Sequence, residues 1–127
     1  MQEESLYTND PSALASVTPP AFVRVHDSRE HEEHLQIFSD IDISSSPAFE
    51  AALADLFASD KKYVVDLTEC PYMDSTGLAC LIRARKTWGG QLEIRAAAGS
   101  GPARILEVTG LDRALAVVLE PRTLRVV

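Results

Sequence analysis

Long hydrophobic runs are missing from this chain of 127 residues. Its purely apolar stretches, such as Ala114 to Leu119, fall far short of the ~20 residues that a bilayer-spanning helix needs, so no membrane insertion is expected. The first residues, Met-Gln-Glu-Glu, carry no basic region and no apolar stretch behind it, and no secretory signal is expected from them. Cysteine is limited to Cys70 and Cys80, with no Cys-x-x-Cys pair and no disulfide-dense context; both read as reduced packing thiols in a soluble, cytoplasmic protein. Basic charge is scarce in one half. Residues 1–60 hold 12 acids against 2 bases, whereas residues 61–127 hold 7 against 10. A net charge of −7 without a Lys/Arg stripe argues against nucleic acid as the partner and for a basic protein surface.

The composition that remains, 46% hydrophobic and 24% charged, is that of one globular domain with a single core, without internal repeats or low-complexity blocks. Residues 1–20 hold Asn9, Pro11, Pro19 and Pro20 and no sustained period of 2 or 3.6, and they read as a flexible leader; the domain then occupies residues 21–127. Phe22, Val23 and Val25 suggest a first strand, Asp27 to Glu33 a hairpin turn, and the alternation of Leu35, Ile37, Ile41 and Ile43 a second strand. Ser45 or Ser46 can cap a helix with Pro47 at its first position, followed by Phe49, Leu53, Leu56 and Phe57 at helical spacing. Tyr63 to Leu67 suits a buried strand. A second amphipathic helix carries Leu78, Leu81, Ile82 and Trp88 and stops at Gly89-Gly90. A strand from Gln91 to Ala97, a short helix from Ser100 through Val108 ended by Gly110, and a last strand from Ala116 to Leu119 complete the order. Strands alternating with helices place the chain in the α/β class, with functional loops at the carboxyl ends of the strands.

The strongest local feature is Met73-Asp74-Ser75-Thr76-Gly77-Leu78, two hydroxyls and a carboxylate at the mouth of a helix. The unpaired N–H groups and partial positive charge there accept an anion, a phosphate ester included. The plainer reading is that Asp74, Ser75 or Thr76 caps the helix, since all three types do so well. No Glu or Gln stands three residues on, so a reciprocal capping box is absent. His26, His31 and His34 fall among Asp27, Glu30, Glu32 and Glu33, which invites a zinc or nickel reading, but the spacing matches no tight ligand pattern and the segment reads as a solvated turn. No metal and no other cofactor is expected. Gly99-Ser100-Gly101-Pro102 follows a strand and opens a helix as a dinucleotide loop does, yet it lacks the third glycine and Pro102 removes an N–H. No Gly-x-Ser-x-Gly elbow exists and neither Asp74 nor Ser75 has a local histidine, so no enzymatic activity is expected.

Taken in order and spacing, Val64-Val65-Asp66-Leu67, Tyr72-Met73-Asp74-Ser75-Thr76-Gly77-Leu78 and Leu106-Glu107-Val108-Thr109-Gly110-Leu111-Asp112 resemble the STAS domain of the anti-sigma factor antagonists, over about Ala21 to Glu120. The resemblance implies a single STAS-like domain, a mixed β-sheet with helices packed on it, and regulation of transcription by partner switching. By that resemblance Ser75 is the phosphorylation site, with Thr76 second to it. Asp74, Ser75, Thr76, Gly77 and Asp42 form the partner-binding set. The implied partners are an anti-sigma factor with serine kinase activity and a serine phosphatase, acting on a monomer or weak homodimer. The alternative is a STAS subunit of a lipid or solute transport assembly in which Ser75 is not modified. Two departures stand out: Ser39-Asp40-Ile41-Asp42 keeps the aspartate of the family's Gly-x-x-Asp turn but not the glycine, and the chain stops at Thr123-Leu124-Arg125-Val126-Val127, where relatives tend to add an amphipathic helix.

Overall fold

A computed structural model describes residues 21–56 and 62–121. The expected leader, Phe57 and the last six residues lie outside them. The elements are β1 (Phe22–Asp27), β2 (Glu32–Ile37), α1 (Ser46–Leu56), β3 (Lys62–Asp66), α2 (Ser75–Trp88), β4 (Leu92–Ala97), α3 (Gly101–Val108), α4 (Leu111–Ala114) and β5 (Val117–Glu120). The strands form one sheet in the order β1-β2-β3-β4-β5. β1 and β2 are an antiparallel hairpin, and every later pair is parallel. The parallel pairs need crossovers, which the helices supply, and the class is α/β with a mixed sheet as expected.

Alternation along the strands sorts the sheet into two faces. Leu35, Ile37, Tyr63, Val65, Leu92, Ile94 and Ala96 join Phe49, Leu53 and Leu56 of α1, Leu78, Leu81, Ala84 and Trp88 of α2, and Ala103 and Leu106 of α3 in one buried cluster. Phe22 packs against it, its ring 6.0 Å from that of Phe49. The other face carries Glu32, His34, Lys62, Glu93 and Arg95, joined by ion pairs.

Two expectations are corrected, and one element is added. The hairpin turn is shorter than Asp27 to Glu33: strand pairing runs to Asp27 opposite Glu32, and only Ser28 to His31 turn, with His31 in the left-handed region at φ 55°. β2 stops at Ile37 rather than reaching Ile43. Ile41 makes an isolated parallel bridge to Met73, and Ile43 is 76% exposed. The serines after it explain this, because Ser45 and Ser46 close a turn onto Asp42 through their N–H groups at 3.1 and 2.8 Å, and that turn cannot also be strand. Finally, α4 has no counterpart in the sequence reading; Gly110, at φ 75°, both ends α3 and opens that short helix.

Candidate functional site

Asp74, Ser75 and Thr76 divide the work that the sequence left open among them. Asp74 is the N-cap of α2: one carboxylate oxygen accepts from the Thr76 N–H at 2.9 Å and from the Thr76 hydroxyl at 2.5 Å. Its own N–H donates to the Ile41 carbonyl at 3.0 Å, while the Ile41 N–H donates to the Tyr72 carbonyl at 2.8 Å. The cap is therefore held from both sides. Thr76 is half-buried with its hydroxyl spent on the cap. Ser75, the first residue of α2, is exposed, and among the described residues its hydroxyl has no hydrogen-bond partner. One accessible, uncommitted nucleophilic oxygen stands at the positive end of a helix 14 residues long.

Gly77, placed by the sequence in the partner-binding set, is buried. A Cβ there would come within 2.5 Å of Met73 Cγ and 2.8 Å of Ile41 Cγ2, so glycine is what lets α2 sit against the loop that delivers Asp74. Asp42 is brought to the same end of the sheet, since the Ile41–Met73 bridge runs both loops side by side in one direction. One of its carboxylate oxygens accepts from the Ser44 hydroxyl at 2.7 Å, the Ser44 N–H at 3.0 Å and the Ser45 N–H at 3.1 Å. The Ser44 hydroxyl bond, followed by those of the loop N–H groups, holds the Asp42 carboxyl below its ordinary value. Asp42 thus ties the loop before α1 as Asp74 ties the loop before α2.

Sequence reasoning missed the apolar residues around these caps. Ile43 and Tyr72, 76% and 50% exposed, stand on the two bridged loops, and Phe38, 40% exposed, follows the end of β2. Exposed apolar groups among Asp40, Asp42, Glu69 and Asp74 suit docking of a protein. The signal for Ile43 was present in the serines that end the strand before it. A recess of about 550 Å³ between the ends of β3, β4 and β5 is lined by Thr68, Glu69, Gly99, Ser100, Gly101 and Glu120. Ser100 caps α3, accepting from the Ala103 N–H at 3.2 Å. Two glutamates in that lining oppose a phosphate, in agreement with the weak dinucleotide pattern. Cys70 and Cys80 are both buried and unpaired with each other as a disulfide; burial pushes the Cys70 thiol up to about 11 and raises that of Cys80, which makes both poor nucleophiles.

Comparison with known proteins bears on the fold that carries these residues. A family model described as "Mlab, STAS domain" matches residues 25–120. No curated protein matches the chain in sequence. An anti-sigma factor antagonist from Mycobacterium paratuberculosis superposes with a TM-score of 0.67 at 22% identity, over 80% of this chain and 89% of its own. The anti-sigma factor antagonist SpoIIAA, in its unphosphorylated form, superposes with a TM-score of 0.59 at 13% identity, over 79% of this chain and 88% of its own. At these identities the likeness is one of fold.

Proposed function

The chain belongs to the STAS domain family, and from that premise we propose that it is an anti-sigma factor antagonist controlled by phosphorylation of Ser75. In this reading the unphosphorylated protein binds an anti-sigma factor with serine kinase activity in the cytoplasm, and a serine phosphatase restores it after phosphorylation. It performs no catalysis of its own. The observation that carries the proposal is the division of labour at the mouth of α2: Asp74 and Thr76 are tied to each other, while Ser75 alone is exposed, with a hydroxyl that makes no hydrogen bond among the described residues.

The switch follows from charge and water. A phosphate adds ≈ −1.5 to −2 charge beside Asp74 on a surface that must lose water to dock. The helix N-terminus tolerates that charge within the domain, so the fold stays and the partner leaves. Ile43 and Tyr72 supply apolar contact on either side, and Asp74 keeps a carboxylate oxygen for a cationic side chain of the partner.

Ser75→Ala is expected to abolish the one-phosphate mass shift produced by the partner kinase while costing about 1 kcal/mol of stability or less, as exposed positions do. A full phosphate signal on that variant overturns the assignment. Asp74→Asn is expected to weaken partner binding by ~1.5–3 kcal/mol, the range for a hydrogen bond to a charged group, and to lower stability by less, because an asparagine oxygen still caps. Calorimetry unchanged beside a collapsed melting temperature would make Asp74 a cap and nothing more.

A second reading keeps the fold and leaves Ser75 unmodified: a STAS subunit of a lipid or solute transport assembly docked through α2. The observation that favours it is the solvent side of that helix, where Arg83, Lys86 and Thr87 are exposed and Arg83 pairs with Glu50 of α1 at 2.6 Å. Capture of the native partner by wild type and by Ser75→Asp separates the two readings. Only a partner of the first kind is lost on the aspartate variant.

A further inference from the structure

The three histidines do not converge, but one of them meets two carboxylates that the sequence reading set aside. Asp27 closes β1 directly opposite Glu32 on β2, and His34 follows Glu32 by two residues on the same face. Ligand atoms of Asp27, Glu32 and His34 all lie within 4.8 Å of one another. His34 Nε2 is 2.8 Å from Glu32 Oε1, and the two side chains are only 14% and 9% exposed. His26, by contrast, pairs with Glu33 on the face that carries the core.

We propose that Asp27, Glu32 and His34 bind one divalent transition-metal ion of the zinc class. Two carboxylate oxygens and one imidazole nitrogen form a three-ligand set, leaving a position for water, and that donor mixture suits zinc, cobalt or nickel better than calcium or magnesium. The charge on this face favours a cation. Among the described strand residues its cations are Lys62 and Arg95, against the carboxylates of Asp27, Glu32, Asp66, Glu93 and Glu120. Lys62 and Arg95 are shared between Glu32 and Glu93. Asp27 has no ion pair among the described residues; one of its oxygens accepts from the Arg29 and Glu30 N–H groups at 3.0 and 3.3 Å, and the other is left for a metal. A shallow recess lined by Val25, His26, Asp27, Ser28, Arg29 and His34 opens beside the trio and gives the ion its way in.

Binding has an identifiable cost. The ion replaces the His34–Glu32 hydrogen bond and takes the imidazole through the lone pair of Nε2. Glu32 can bind through Oε1 and keep Oε2 for Lys62 at 3.4 Å, an outer partner that fixes the carboxylate. Arg95, 3.7 Å from Oε1, and Arg29 in the recess oppose the ion. The bound ion links β1 to β2 beside the turn, at the end of the sheet away from Ser75. It acts as a clamp on the hairpin, independent of the partner switch.

Titration of the tag-free, full-length chain tests this, with Zn²⁺ by calorimetry and Co²⁺ by visible absorption. One-to-one binding is expected, weakened roughly tenfold or more in both His34→Ala and Asp27→Asn, since loss of a direct ligand costs at least what loss of an outer partner does. His26→Ala should bind as wild type does. Equal affinity in wild type, His34→Ala and Asp27→Asn overturns the proposal, as does loss in His26→Ala alone or no saturable binding at millimolar metal. Asp27→Asn keeps an oxygen for the turn and keeps the test decisive where His34→Ala does not fold.

Discussion

On the helix-covered face of the sheet, Leu35, Ile37, Tyr63, Val65, Leu92 and Ile94 are at most 2% exposed and belong to one apolar cluster. On the opposite face the same strands carry Glu32, His34, Lys62, Glu93 and Arg95 in a ladder of ion pairs between 2.6 and 3.7 Å. The first face gains free energy from removing apolar area from water, about 25 cal/mol per Å², whatever the direction of contact. The second gains less from each pair, because Glu32 and Glu93 give up most of their water to enter it while Lys62 and Arg95 stay partly solvated and lose rotamer freedom. The contrast teaches where stability and where specificity reside: the helix side holds the domain together, and the ladder fixes register, since a one-residue slip would carry those charges into the core.

The largest expected effect is on the covered face. Ile94→Ala, at a position with 0% exposure in the middle of the cluster, should cost about 2–5 kcal/mol in denaturant unfolding. A loss below about 1 kcal/mol would mean that the cluster collapses around the gap and that the two faces differ less than their burial implies. Gly77→Ala sharpens the comparison from the other direction, by adding a methyl where α2 meets Ile41 and Met73, residues 0% and 2% exposed. The expected cost is about 1–3 kcal/mol, against a gain in helix propensity of at most about 1 kcal/mol. A neutral result would show that the Met73 side chain swings aside freely.

The sequence made the covered face legible because burial leaves a periodic trace. The short apolar run from Tyr63 to Leu67 and the segment from Gln91 to Ala97 located β3 and β4 within a residue at each end, and the helical spacing of Leu78, Leu81 and Trp88 located the helix between them. Ile43 was misread because period-2 spacing continued through Ile41, although Asp42 and the serines after it define a turn. α4 left no trace, being one turn long with no buried residue. At the candidate site the sequence located the residues but not their division: Asp, Ser and Thr cap equally well, and only the hydrogen bonds show that Asp74 caps, Thr76 assists and Ser75 is free. The ladder was the least legible part. Glu32, Lys62, Glu93 and Arg95 lie on three separate strands, and strand register alone makes them neighbours.

The smallest expected effect is on that ladder. Glu93 lies 2.6 Å from Arg95 Nε and 2.9 Å from Lys62 Nζ, with its side chain 16% exposed. Burial pushes its carboxyl up, but the hydrogen bonds from Arg95 and Lys62 outweigh that and hold it below 4.5. A carboxyl lowered in the folded state stabilises the protein above its unfolded pKa, and the stabilisation is lost as pH falls through the lowered folded value. Glu93→Gln should therefore cost about 1 kcal/mol or less at neutral pH. The gap to wild type should hold steady from pH 7 to about 5 and close below that, toward the folded pKa of Glu93. Asp42 and Glu50 are lowered too, by the Ser44 hydroxyl and by Arg83, so acid destabilises both proteins and only their difference isolates Glu93. The same difference should shrink in 1 M salt, where the screening length is about 3 Å. Urea melts across pH and salt measure it. A gap that stays constant down to acid pH would mean that the glutamate contributes packing rather than charge, and the two faces of the sheet would then differ in degree and not in kind.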